Sequence, residues 1–159
     1  MKEIIIYTDG SSLGNPGPGG WACILKYGKN RKEISQGYKL TTNNRMELIA
    51  AIEALKAIKK KNYKIKLHSD SKYLSDAIKK GWLDKWVKNN WKRNSGKVMN
   101  KDLWDQLYNL LKQKNVEFIW IPAHSGIEDN ERCDKLAKTA AQSNDLLDDT
   151  GYLEDQCLR

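Results

Sequence analysis

The chain has 159 residues, 40% apolar and 30% charged, which suits one globular domain and excludes a disordered polyelectrolyte. Its formal net charge is +8, while residues 143–159 set Asp145, Asp148, Asp149, Glu154 and Asp155 against Arg159, so the cationic excess lies in residues 1–142. Three cysteines without metal-ligand spacing (Cys23, Cys133, Cys157) argue for a reduced, cytoplasmic protein, and no apolar run reaches the length of a membrane span. A basic body attracts phosphate and releases its counterions, which points to a polyanionic partner; a merely solvated basic surface is the plainer alternative.

In chain order, residues 3–9, 20–27 and 31–40 read as three strands joined by short turns, an antiparallel meander. Gly10, Gly14, Gly17, Gly19 and Gly20 crowd the first connection, where a flexible backbone permits close approach of a ligand. Thr41, Thr42, Asn43 and Asn44 offer N-caps for a helix over residues 46–55. Residues 64–69 form a fourth strand, followed by a helix from about Ser71. Leu103, Leu107 and Leu110 recur at helical spacing over residues 101–112. Residues 116–121 form a fifth strand and 130–143 a last helix. This order predicts an α/β fold: a five-stranded mixed sheet, three antiparallel strands then two parallel, flanked by helices. Residues 1–142 are the expected domain, and residues from about Asp145 a frayed, partly disordered acidic tail. A strand beginning directly after Met1 favours an independent protein, and the lack of a coiled-coil pattern favours a monomer.

On this map four carboxylates fall at sensitive places. Asp9 ends the first strand, Glu47 lies early in the first helix, Asp70 follows the fourth strand, and Asp134 stands at the opening of the last helix. Each has a structural alternative: an Asx-turn for Asp9, a helix-dipole partner for Glu47, a cap for Asp70. Beyond the carboxyl ends of parallel strands, however, is where ligands gather. Carboxylates sharing one site repel one another, and divalent cations relieve the conflict. Oxygen ligands without clustered Cys or His favour Mg²⁺ or Mn²⁺ over zinc.

Four separate motifs then resemble those of the bacterial type 1 ribonucleases H. They are Tyr7-Thr8-Asp9-Gly10-Ser11 with Gly14-Asn15-Pro16-Gly17, Thr42-Asn43-Asn44-Arg45-Met46-Glu47-Leu48, Ser69-Asp70-Ser71, and His124-Ser125-Gly126 with Asn130-Glu131-Arg132-Cys133-Asp134. The resemblance implies a ribonuclease H-like fold and hydrolysis of the RNA strand of RNA–DNA hybrids, leaving 5′-phosphate and 3′-hydroxyl ends. It implies that Asp9, Glu47, Asp70 and Asp134 hold two Mg²⁺ ions with substrate, Mn²⁺ substituting. It implies that His124, on a mobile loop, assists proton transfer or product departure; a loop histidine bonded to nearby backbone is the alternative. Ser12, Asn15, Asn43 and Asn44 would read ribose 2′-hydroxyls, and Thr42 would seat a phosphate of the DNA strand. Asn43 and Asn44 are also candidate helix caps. Lys72 departs from the glutamine frequent at that position in bacterial members, and lysine reaches phosphate but lacks an amide's paired donor and acceptor.

Residues 79–101 hold Lys79, Lys80, Lys85, Lys88, Lys92, Arg93, Lys97 and Lys101 against the single acid Asp84, interleaved with Trp82, Trp86 and Trp91. Such a stretch can grip phosphates and pack rings on sugars or bases. Trp82 and Trp86, four apart, could instead form a helix seam. The reading divides them: Trp82 with Lys85, Lys88, Lys92 and Arg93 for binding, Trp86 and Trp91 for scaffold. In the resembling family this segment is the basic protrusion that grips the DNA strand. A non-catalytic duplex-binding module and an actin-like ATPase are the competing readings. The first gains nothing from four acids facing a polyanion, and the second needs two lobes from a longer chain.

Overall fold

A computed structural model of the protein describes residues 2–157. The sheet is built outward from β1 (Lys2–Ser12), where Ile4, Ile6 and Thr8 alternate inward. β2 (Gly17–Tyr27) pairs antiparallel with β1, and β3 (Asn30–Thr41) antiparallel with β2. On the other side of β1, β4 (Tyr63–Ser69) runs parallel to it, reached through the helix α1 (Asn43–Lys56). Parallel neighbours need such a crossover.

α2 (Lys72–Lys79) and α3 (Trp82–Lys88) lead into a two-residue ribbon, β5 (Lys92–Arg93) with β6 (Gly96–Lys97). α4 (Lys101–Gln113) returns the chain to β7 (Asn115–Trp120), which pairs parallel with β4, and α5 (Glu128–Ala141) follows. The three antiparallel and two parallel strands expected from the sequence are therefore present.

α1 and α5 cover opposite faces of the sheet. A β-carbon on Gly19 would meet the Met46 side chain, and one on its neighbour Gly20 would meet the Ala137 carbonyl; successive strand residues point to opposite faces. α1 is buried over almost its whole length, Met46 to Leu55, between the sheet and α4. Ile6, Leu48, Ile52, Leu55, Leu67, Leu74, Trp104 and Leu107 form the centre of the core. Trp104 donates its indole N–H to the Tyr73 hydroxyl at 2.8 Å. Trp86 packs edge-on against Trp104, ring centroids 5.5 Å apart, and Trp91 also lies against the core, whereas Trp82 is exposed.

The C-terminal segment departs from expectation. Instead of fraying from Asp145, the chain adds a sixth strand, β8 (Leu146–Leu147), parallel to β3, and then α6 (Thr150–Cys157). The sheet order is β7-β4-β1-β2-β3-β8. The cause lies between β8 and α6: Asp149 is buried against the guanidinium of Arg45, with Nε at 2.8 Å. Separating this pair would leave a buried charge uncompensated, so the segment stays docked against the start of α1. α5 also starts earlier than expected, at Glu128, so Asp134 sits in its second turn. Among the described residues no helix is long and apolar enough to cross a membrane.

Candidate active site

Asp9 lies near the carboxyl end of β1, 4% exposed, its Oδ1 accepting the Gly10 N–H at 3.0 Å. Gly10 decides what faces it. A β-carbon there would overlap the Met46 carbonyl carbon and crowd the Glu47 amide, so only glycine lets the start of α1 come this close to β1. That approach brings Glu47, 5% exposed, to Asp9. Asp70 arrives from β4, which is in parallel register with β1. The capping task that would have explained Asp70 structurally belongs to Ser71, whose Oγ accepts from the Leu74 amide at 3.1 Å. Asp70 is left with its carboxylate free of the helix.

Oxygens of Asp9, Glu47 and Asp70 all lie within 4.8 Å of one another. Burial, then the charges of Asp70 and Asp134, push Asp9 up to about 8, against the lowering effect of the Gly10 N–H. Burial and the charge of Asp9 push Glu47 well above the usual carboxylate range. Glu47 Oε2 is buried with no protein partner. A site of crowded anions with an unsatisfied oxygen fits a hard divalent cation, and every donor in it is oxygen.

Asp134 lies outside this trio while still beside Asp9; its Oδ2 pairs with Lys138 Nζ at 3.0 Å. His124 stands exposed on the loop between β7 and α5, at φ 52°, also outside the trio. Ser12, at the end of β1, has a buried Oγ without a partner. Asn15 is exposed, and its Oδ1 accepts from the Asn43 amide at 3.1 Å, tying the glycine-rich loop to α1. Thr42 caps α1, its Oγ1 accepting from the Arg45 amide at 3.2 Å, and Asn44 is exposed. The capping task open to Asn43 and Asn44 thus falls to Thr42. Lys72 opens α2 with Nζ 4.3 Å from the Trp120 ring centroid, and Trp120 in turn donates to the Asp70 carbonyl at 3.2 Å. Lys85, Lys88, Lys92 and Arg93 are exposed on α3 and β5.

One residue that sequence reasoning passed over also touches the site. Asn130, 3% exposed, donates to Asp70 Oδ2 at 3.3 Å, and its own Oδ1 is buried without a partner. Its signal was its place four residues before Asp134, on the same helix face. By contrast, a cavity of about 270 Å³ bounded by Ile4, Tyr27, Ile58 and Tyr63 opens at the other end of the sheet, and no carboxylate lines it.

The family model for RNase H matches residues 1–142. A ribonuclease H of Syntrophus aciditrophicus is 52% identical over 153 residues, 96% of this chain and 88% of that protein. The ribonuclease HI of Pasteurella multocida is 51% identical over 153 residues, covering 96% and 97%. Among solved structures, LC9-RNase H1, a type 1 RNase H with the type 2 active-site motif, superposes with a TM-score of 0.80 at 32% identity, covering 89% of this chain and 73% of that one. LC11-RNase H1 in complex with RNA/DNA hybrid gives 0.69 at 25% identity, covering 87% and 96%. Agreement at half of all positions along nearly the full chain means that the protein belongs to the bacterial ribonuclease H family, and that it is a nuclease and a hydrolase.

Proposed function

We propose that this enzyme hydrolyses the RNA strand of RNA–DNA hybrids by a two-metal-ion mechanism, leaving 5′-phosphate and 3′-hydroxyl ends. The observation that carries the reading is the trio Asp9, Glu47 and Asp70, whose oxygens crowd within 4.8 Å on a strongly basic body. Asp9, Glu47, Asp70 and Asp134 are the residues that would hold the ions, Asp134 serving activation of water and Glu47 and Asp70 the departing oxygen. Two bound Mg²⁺ ions, or Mn²⁺ in their place, supply the charge that lowers the pKa of water and stabilises the departing oxygen. Asn130 holds Asp70 by its amide. His124, exposed beyond the carboxylates, takes up or hands on a proton, or helps product leave.

Substrate recognition falls to the rest of this surface. Ser12, Asn15, Asn43 and Asn44 contact ribose 2′-hydroxyls, the feature by which a protein tells RNA from DNA. Thr42 seats a DNA phosphate, and Lys72 contacts the backbone. Trp82, Lys85, Lys88, Lys92 and Arg93 grip the DNA strand. That LC11-RNase H1 forms a complex with RNA/DNA hybrid supports the substrate assignment. The enzyme works as a cytoplasmic monomer in this reading, consistent with its free cysteines.

Incubation of purified protein and Mg²⁺ with an end-labelled hybrid, an RNA duplex and a DNA duplex tests it. Cleavage of RNA in the hybrid alone, with 5′-phosphate products, is the expected result. Intact hybrid, or a cut DNA duplex, would refute it.

A further inference from the structure

Asp149 lies beyond residue 142, where the family model ends, yet it is 4% exposed and fully bonded. Its Oδ2 accepts from Thr41 Oγ1 at 2.6 Å and Arg45 Nε at 2.8 Å. Its Oδ1 accepts from Arg45 Nη2 at 3.0 Å and the Tyr152 amide at 3.3 Å. Thr41 is the last residue of β3, and Arg45 lies in the first turn of α1. Between these two anchors sit only Thr42, Asn43 and Asn44. The span is also held by the Thr42 cap and by Asn15 on the Asn43 amide.

We infer that Asp149 is a positioning residue for hybrid recognition: from the C-terminal segment it fixes both ends of the Thr42–Asn44 span, and so the polar groups that distinguish RNA from DNA. The inference rests on the substrate reading above. Groups that read a ligand must be held within a fraction of an ångström, and their neighbours do the holding. Asp149 is suited to this because a single carboxylate joins strand end and helix start. Asp102 shows the difference. It binds the far side of the same guanidinium, Nη1 at 2.9 Å and Nη2 at 2.7 Å, but its side chain is 43% exposed and does not reach Thr41. Asp102 therefore secures Arg45 without closing the span.

The contrast sets the experiment. Asp149→Asn, Thr41→Val and Asp102→Asn are compared with the parent enzyme well below each melting temperature, with folding checked by circular dichroism. Affinity for hybrid and for DNA duplex is read by fluorescence anisotropy in EDTA, and KM and kcat with Mg²⁺. Asp149→Asn should weaken hybrid binding and raise KM about fivefold, weaken binding to DNA duplex less than that, and alter kcat less than KM. Thr41→Val should move the same quantities in the same direction. Asp102→Asn should lower the melting temperature while hybrid discrimination stays at the parent level. Parent-level discrimination in Asp149→Asn overturns the inference, as does an equal loss in Asp102→Asn, which would make the cluster merely structural. If Asp149→Asn does not fold, Thr41→Val decides alone. Failure of the parent enzyme to prefer hybrid would instead sink the substrate reading.

Discussion

Arg45 and Glu47 stand two residues apart on α1, both buried and each facing two aspartates, yet their surroundings have opposite electrostatic character. Burial disfavours the charge on Arg45, but the hydrogen bonds it donates to Asp102 and Asp149 outweigh this and raise its pKa; Asp102, partly buried, is held below the ordinary carboxylate range by the same guanidinium. Around Glu47 the burial is similar and the neighbours, Asp9 and Asp70, carry its own sign, so its pKa rises. The first cluster is satisfied from within the chain. The second is left with carboxylates of one sign and an oxygen without a protein partner, a conflict that a bound cation would relieve.

The comparison can be broken most sharply at Asp9. Asp9→Asn should lower turnover about a thousandfold, on the order of 4 kcal/mol in the barrier, while hybrid binding persists. Loss of the circular dichroism signal in that variant would make Asp9 a structural residue instead. On the other side, Arg45→Ala leaves Asp149 buried without its partner, and should cost about 3–5 kcal/mol in urea denaturation. A cost below about 1 kcal/mol would mean that the pair does not hold the C-terminal segment.

A third expectation concerns pH. Asp9 titrates near 8 in the folded protein against an ordinary 3.8, so the metal-free fold binds a proton that the unfolded chain has released. Stability from this group is therefore full below about pH 4 and is lost as pH rises toward 8. Thermal melts without metal should fall across that window, and Asp9→Asn should flatten the fall. Mg²⁺ should restore more stability at pH 8 than at pH 5. A metal-free profile identical in parent and variant would dissolve the distinction between the clusters.

The mildest effect per residue belongs to charges held by neither cluster. Neutralising Lys85, Lys88, Lys92 and Arg93 together should weaken hybrid binding and reduce its salt slope by about 3, with no change in melting temperature beyond a degree or two. An unchanged slope returns those residues to plain solvated surface.

Much of this was legible beforehand. The apolar run Ile4 to Ile6, the helical stretch from Met46 to Leu55 and the strand before Asp70 all emerged near their observed bounds, because period-two and period-3.6 burial leave marks in a single segment. Of the tryptophans, Trp86 and Trp91, read as scaffold, lie against the core, and Trp82 is exposed. The tail was misread because its composition is acidic and its anchoring partner, Arg45, is 104 residues away. Asn130 was passed over because its donation to Asp70 spans 60 residues.

What the sequence by itself determined is which segments are strands and helices and which residue types punctuate them, since those preferences act between near neighbours. It also carried the motifs that placed the chain in its family. Only the tertiary structure decided that Gly10 admits α1 closely enough for Asp9 to meet Glu47, that Ser71 relieves Asp70 of capping, and that Asp149 closes on Thr41 and Arg45. Those outcomes depend on distances between residues remote in the chain, and electrostatic and steric energies follow distance in space, not separation in sequence.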